Sequence, residues 1–111
     1  MDYCLDHRKH AVVVAVQGRV DEASWQAFGV GLSKAIEQAR LSSFAKVIID
    51  LEELDYMSSR GLRALTVAKR LGDDTNVAIL LAAPNEVMRE ILAISRYDKL
   101  FSITETVEAA L

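Results

Sequence analysis

The chain has 111 residues, a formal charge of −3 and 51% hydrophobic residues spread along its length. This size allows one domain with a core of its own, and the composition favours a globular protein over a disordered one. The acidic balance argues against a general nucleic-acid binder, which normally carries a basic stripe facing the phosphates. Cys4 is the only cysteine, so an internal disulfide and a thiol-rich metal site are both excluded.

The apolar stretches of the chain are short. The longest, residues 11–16 and 77–83, fall far below the roughly 20 residues that a membrane-spanning helix needs. Charges at Asp2, Asp6 and Arg8 interrupt the beginning of the sequence, so no secretory leader is predicted. We therefore expect a cytoplasmic protein that does not insert into a membrane.

The first half of the chain predicts two strands followed by a helix. Residues 3–5 and 11–17 are the expected strands, and the second is apolar at successive positions, which is typical of a strand covered on both faces. Asp21 or Ser24 would cap the helix that follows. Its single apolar stripe, which we expect to lie in the core and not on a partner surface, consists of Trp25, Phe28, Leu32, Ala35, Ile36 and Ala39.

The second half continues the alternation of strands and helices. Residues 47–50 are an expected strand, an acidic connection follows, and a helix begins at Ser58 or Ser59, whose hydroxyl would accept a hydrogen bond from a free amide of the first turn. A strand over residues 77–82, a third helix and a short last edge strand complete the pattern. This alternation predicts an α/β domain with a central four- to five-stranded, mixed but largely parallel sheet and packed helices.

No catalytic constellation is evident in the sequence. A serine hydrolase would place glycines on both sides of its nucleophile and a histidine base later in the chain. Met57 takes one of these glycine positions around Ser59, and no histidine follows His10. His7 and His10 lie in a predicted turn without a neighbouring cluster of metal-ligand residues. We therefore expect no enzyme activity, no cofactor and no metal site, and a protein that acts by binding.

Three sequence motifs occur in order along the chain. Residues 16–21, Val-Gln-Gly-Arg-Val-Asp, follow the pattern apolar, any, Gly, any, aliphatic, Asp. Residues 48–62 contain a short aliphatic strand and a Ser-Ser-Arg-Gly-Leu helix start, and residues 87–101 contain a helix with a Leu-Phe ending. Together these motifs resemble the STAS domain of the anti-sigma factor antagonists (anti-anti-sigma factors). The resemblance covers nearly the whole chain and implies a single STAS domain over residues 1–111.

The resemblance implies a phosphorylation switch at the Ser-Ser helix start. The family's phosphorylated serine matches Ser59, and Ser58, which takes the place of a family aspartate, is a second candidate acceptor. Arg60 stands where the family often has a small residue. A serine at a helix start also suits phosphorylation because the positive end of the helix dipole tolerates added negative charge. The expected partner-binding residues are Asp21, Asp50, Ser58, Ser59, Arg60 and Arg63.

The resemblance also implies an activity and partners. The chain would be an anti-sigma factor antagonist, which sequesters an anti-sigma factor that is also a serine kinase and so frees a sigma factor for transcription. A serine phosphatase would reset the switch, and no direct contact with nucleic acid is expected. Two alternatives use the same fold: a STAS subunit of a membrane lipid transport complex, docked on an ATPase, and a STAS regulator of another signalling protein.

Overall fold

Six strands and four helices alternate along the chain in the computed structural model, which describes all 111 residues. The strands are β1 (Asp2–Arg8), β2 (Ala11–Val20), β3 (Lys46–Asp50), β4 (Leu54–Met57), β5 (Ala78–Ala82) and β6 (Ser102–Thr104). The helices are α1 (Trp25–Leu41), α2 (Ser59–Thr75), α3 (Glu86–Ile94) and α4 (Val107–Ala110). A membrane-crossing helix is not among them.

The strands form one mixed sheet. Five of them lie side by side in the order β1, β2, β3, β5, β6, and β4 pairs with the end of β2. β1 runs antiparallel to β2, whereas all other pairs are parallel. Val14 pairs with Ile49, and Ile49 with Leu81, so buried aliphatic side chains are adjacent across the centre of the sheet. The predicted α/β fold with a largely parallel sheet is confirmed.

The sheet has six strands where four or five were predicted, and the additional strand is β4. The sequence predicts only an acidic connection between β3 and α2. Within that connection Leu54 and Met57 are buried, while Asp55 is exposed. Because β4 needs only the last residues of β2 as a partner, with Val20 opposite Met57, four residues are enough. This strand leads directly to the start of α2.

The core lies mainly between the sheet and helices α1 and α2. A cluster of 23 buried residues fills this side, whereas a cluster of 6 lies on the opposite side with α4. Phe28, Leu32 and Ile36 are at most 2% exposed, as predicted for the apolar stripe of α1. Trp25, also predicted for the core, is partly buried and packs against the edge of the larger cluster. Its ring, at the first position of α1, lines a groove between α1 and α2, and the guanidinium of Arg60 lies over the ring.

Helix α1 packs closely on β1 at Gly31. A Cβ at this position would lie 2.8 Å from the ring of Tyr3, so a larger residue would displace either the helix or the ring. Glycine weakens a helix by about 1 kcal/mol relative to alanine. The close packing of β1 against α1 explains why glycine is present there.

Candidate functional site

The two adjacent serines at the start of α2 have different environments. Ser58 is the N-cap residue, and its Oγ accepts a hydrogen bond from the Gly61 amide at 3.3 Å. The Ser58 amide donates to the carbonyl of Val20 at 2.8 Å, which ties the helix start to the end of β2. Ser58 is only 8% exposed. Its hydroxyl therefore has a structural role.

Ser59 is the first residue of α2, and its side chain is exposed. The first amides of a helix have no intrahelical acceptor, and the dipole there favours negative charge. A phosphate on Ser59 would therefore lie in solvent at the positive end of the helix. The structure agrees with the predicted position of Ser59, while its phosphorylation stays a prediction.

Gly61 allows the first turn of α2 to pack tightly on β2 and β4. A Cβ at this position would lie 2.5 Å from Cγ of Met57 and 2.7 Å from Cγ1 of Val20. Cores are packed too densely to accept such overlap without a shift of the helix or the strands. Gly61 therefore fixes the position of the helix start, and with it the position of Ser59.

Arg60 connects the start of α2 to the loop before α1. Its Nε lies 3.2 Å from Oε2 of Glu22, and its guanidinium carbon lies 5.4 Å from the centroid of the Trp25 ring. Both side chains of the ion pair are more than half exposed, so the pair stabilises the fold by at most about 1 kcal/mol. The main effect of these contacts is to orient Arg60.

Asp21 lies in the loop between β2 and α1, and its carboxylate is hydrogen-bonded within that loop. The carboxylate accepts from the Ser24 hydroxyl at 3.0 Å and from the Ala23 amide at 3.1 Å. These two bonds, the Ser24 hydroxyl first, hold the pKa of the Asp21 carboxyl below its usual value. Ser24 occupies the N-cap position of α1 but makes no capping bond, because its hydroxyl is bonded inside the loop instead.

Arg63 follows Ser59 by four residues on α2, so the two side chains lie on the same face of the helix. Arg63 is exposed, and none of the four ion pairs of the structure includes it. It therefore places an uncompensated positive charge beside Ser59. Asp21, Ser58, Ser59, Arg60 and Arg63 accordingly border one end of the molecule, where β2, β4, α1 and α2 meet.

Sequence reasoning missed three side chains at this end of the molecule. Glu22 and Trp25 hold Arg60, and Arg19 lies with its guanidinium carbon 4.5 Å from the centroid of the Tyr56 ring. Arg19 lies inside the first family-like motif, but its ring partner belongs to the unpredicted strand β4. Only the pairing of β2 with β4 reveals this contact.

Asp50 lies apart from the start of α2, at a polar groove of its own. It ends β3, its Oδ1 accepts a hydrogen bond from the Glu52 amide at 3.1 Å, and it borders a polar groove of about 510 Å³. Arg8, Glu105 and Glu108 also line this groove, and no residue of α2 does. Despite the carboxylates, no group of three His, Cys, Asp or Glu side chains could hold a metal ion. The structure does not place Asp50 with the residues at the α2 start, and its role in partner binding stays a prediction.

Comparison with known proteins gives the family of this chain. The STAS domain model matches residues 4–110. Over 111 aligned residues the chain is 30% identical to BtrV of Bordetella bronchiseptica, a protein named as an anti-sigma factor antagonist. That alignment covers 99% of this chain and 91% of BtrV.

Solved structures show the same fold. A Thermotoga maritima protein described as an anti-sigma factor antagonist has a TM-score of 0.84 and 14% identity, with 97% of this chain and 90% of that chain covered. The Bacillus cell fate determinant SpoIIAA in its phosphorylated form has a TM-score of 0.70 and 22% identity, with 98% and 96% covered. The chain therefore belongs to the STAS domain family and, within it, to the anti-sigma factor antagonists.

Proposed function

We propose that this protein is a phosphorylation-switched antagonist that sequesters an anti-sigma factor with serine kinase activity, and that Ser59 is the residue the kinase modifies. The observation that carries the proposal is the contrast between exposed Ser59 and buried, capping Ser58. A kinase must bring the acceptor hydroxyl within hydrogen-bond reach of its base. Ser59 offers its hydroxyl without any change in the helix start, whereas Ser58 would first have to release its cap.

The proposed binding surface consists of the exposed side chains at the start of α2 together with the loop before α1. Ser59, Arg60 and Arg63 contribute from α2, and Asp21 contributes from the loop. Arg60 contacts the loop through its ion pair with Glu22. An anti-sigma factor docked on this surface would cover Ser59, so the partner that binds the protein is also placed to modify it.

Phosphorylation would switch binding through charge. A phosphate adds about −1.5 to −2 charge at neutral pH, and a helix N-terminus accommodates an anion without rearrangement. In the docked complex the same phosphate would be desolvated. An unpaired buried charge at an interface costs about 2–5 kcal/mol, which corresponds to a loss of affinity of roughly 30- to 4,000-fold. The switch would therefore need no large conformational change.

The cellular cycle follows from this switch. Unphosphorylated protein sequesters the anti-sigma factor and frees a sigma factor for transcription. Phosphorylation of Ser59 by the bound kinase, which supplies the ATP site, releases the anti-sigma factor. A serine phosphatase removes the phosphate and restores binding. Membership of the anti-sigma factor antagonists supports an anti-sigma factor as the partner. The structure of SpoIIAA, a protein of the same fold, in its phosphorylated form supports phosphorylation as the switch.

Affinity purification from the native cells tests the proposal. Tagged wild-type protein, Ser59→Ala and Ser59→Asp are each used to capture partners, which are identified by mass spectrometry. We expect Ser59→Ala to retain a protein with a serine kinase domain and Ser59→Asp to retain much less of it. Capture of transporter subunits in equal amounts by both variants would contradict the proposal and favour the lipid-transport alternative.

A further inference from the structure

A groove between helices α1 and α2 is lined by no residue of the proposed switch surface. Its volume is about 750 Å³, and its small and apolar lining residues are Trp25, Gly29, Val30, Ala64, Val67 and Ala68. We propose that this groove is a docking site for an acidic amphipathic helix of a partner protein. The inference is independent of Ser59 phosphorylation, because it depends only on the shape and charge of the groove.

Small residues on both helices create the groove. A Cβ on Gly29 would lie 3.9 Å from Cβ of Ala64. No large side chain therefore fills the space between the two helices at this point. Each helix has 17 residues and is therefore about 25 Å long. An elongated concave surface between two helices is the shape that receives a third helix in helix-in-groove recognition.

Two exposed valines border the groove on opposite helices. Val30 of α1 is 52% exposed and Val67 of α2 is 57% exposed. Neither belongs to the buried stripe of its helix, so neither is required for the core. Together with half-buried Trp25 and the alanines of α2 they give the groove a mainly apolar surface. Contiguous apolar surface of this kind marks an interaction site more often than isolated exposed side chains do.

Unpaired cations flank the groove, although the whole chain carries a charge of −3. Lys34 lines the groove one turn after Val30. Arg63 and Arg70 are not part of the lining, but they lie one turn before and one turn after Val67 on the same exposed face of α2. None of these three cations is part of an ion pair, since the four pairs in the structure use Arg8, Arg40, Arg60 and Lys69.

The one carboxylate in the lining is already paired with an arginine. Glu37 accepts hydrogen bonds from Nε and Nη2 of Arg40 at 2.9 and 2.6 Å, and this arginine holds the pKa of Glu37 below its usual value. The groove therefore has an apolar floor, and the cations in and beside it outnumber its one carboxylate. Its complement is a helix whose apolar face is flanked by Asp and Glu. A concave surface also fits a helix better than it fits the flat surface of a membrane.

Two synthetic helical peptides of about 18 residues provide the test. Both carry the same leucine face, and their remaining positions are glutamate in one and lysine in the other. Trp25 is the only tryptophan and lies in the groove, so its fluorescence reports binding. We expect saturable binding of the acidic peptide, at least tenfold weaker binding of the basic peptide, and a difference that shrinks when Lys34 and Arg70 are changed to glutamine.

Matched variants locate the binding site. Val67→Glu should abolish binding of the acidic peptide, and Val30→Glu should do the same from the opposite side of the groove. Val87→Glu is the control, because Val87 is 52% exposed but lies on α3. Circular dichroism melting of each variant establishes that it is folded.

Several results would overturn the proposal. These are no saturable signal with the acidic peptide, equal affinity for the basic peptide, or an equal loss of binding in Val87→Glu. A Trp25 signal with anionic phospholipid vesicles in place of the acidic peptide would assign the groove to a membrane surface. Light scattering that shows a wild-type dimer and a Val67→Glu monomer would assign the groove to a second copy of this chain.

Discussion

The inner and outer sides of the first turn of α2 differ in what they do. On the inner side, Ser58 and Gly61 are buried, and they fix the helix to β2 and β4. On the outer side, Ser59, Arg60 and Arg63 are exposed. Neighbouring residues of one turn thus divide structure and recognition between them. Substitutions on the inner side should change stability, and substitutions on the outer side should change binding.

The largest effect is expected from the buried side of α1, where the same division applies. Phe28 is 1% exposed, whereas Val30, two residues later, is 52% exposed. Phe28→Ala should lower the free energy of unfolding by about 3–5 kcal/mol, while Val30→Ala should change it by less than about 0.5 kcal/mol. Denaturant titration measures both. An unchanged stability of Phe28→Ala, with partner binding lost, would show that the stripe is an interface.

Overpacking the inner side of α2 should have the next largest effect. Gly61→Val would push a side chain into Met57 and Val20 and should destabilise the protein by about 1–3 kcal/mol. Gly29→Ala is the control, because a Cβ there meets only Ala64, at 3.9 Å. Since alanine favours a helix, this control should be neutral or more stable by up to about 1 kcal/mol. Equal melting temperatures for the two variants would refute the tight packing of Gly61.

The two serines allow the comparison to be made at adjacent positions. Ser58→Ala removes the helix cap and should cost about 0.5–2 kcal/mol. Ser59→Ala should leave the free energy of unfolding within about 0.5 kcal/mol of wild type. Ser58→Asp should restore part of the lost stability, since a carboxylate also accepts a hydrogen bond from the Gly61 amide. Thermal melts of the three variants check this order, and a larger loss for Ser59→Ala would reverse the assignment.

The smallest effect concerns pH and Asp21. Its pKa is lowered in the folded state, first by the Ser24 hydroxyl. Folding therefore gains stability from the ionised carboxylate above its usual pKa, and this gain is lost as the pH falls through the folded-state value. In Asp21→Asn and in Ser24→Ala, the free energy of unfolding should fall less steeply than in wild type as the pH is lowered. Melting temperatures recorded from neutral to strongly acidic pH measure this. If those of both variants fell in parallel with wild type, the prediction would be contradicted.

Periodicity and local chemistry predicted most of the fold. The α/β alternation, the buried positions Phe28, Leu32 and Ile36, and a serine cap at the start of α2 all follow from spacing and residue type. Strand β4 was not predicted because Asp55 and the preceding Glu52 and Glu53 make the segment read as an acidic connection, although Leu54 and Met57 are buried.

The remaining features of the candidate site depend on contacts between distant parts of the chain. The helical spacing of Trp25 predicts that its side chain lies in the core. Only the packing of α1 beside α2 shows that its ring lines the groove between these helices and lies under the guanidinium of Arg60. The Arg60–Glu22 pair joins residues 38 positions apart, and no local pattern indicates it. Asp50 was grouped with Ser59 by sequence motif, while the structure places it in a groove with Arg8.

Mapping of the phosphorylated residue tests the central claim most directly. The kinase captured by Ser59→Ala is purified and incubated with wild-type protein and ATP, and the modified peptide is sequenced by mass spectrometry. We predict one phosphate per chain, on Ser59, and none on the Ser59→Ala variant. Phosphate on Ser58 or on any other residue, or unchanged phosphorylation of Ser59→Ala, would contradict the assignment of the switch to the outer side of α2.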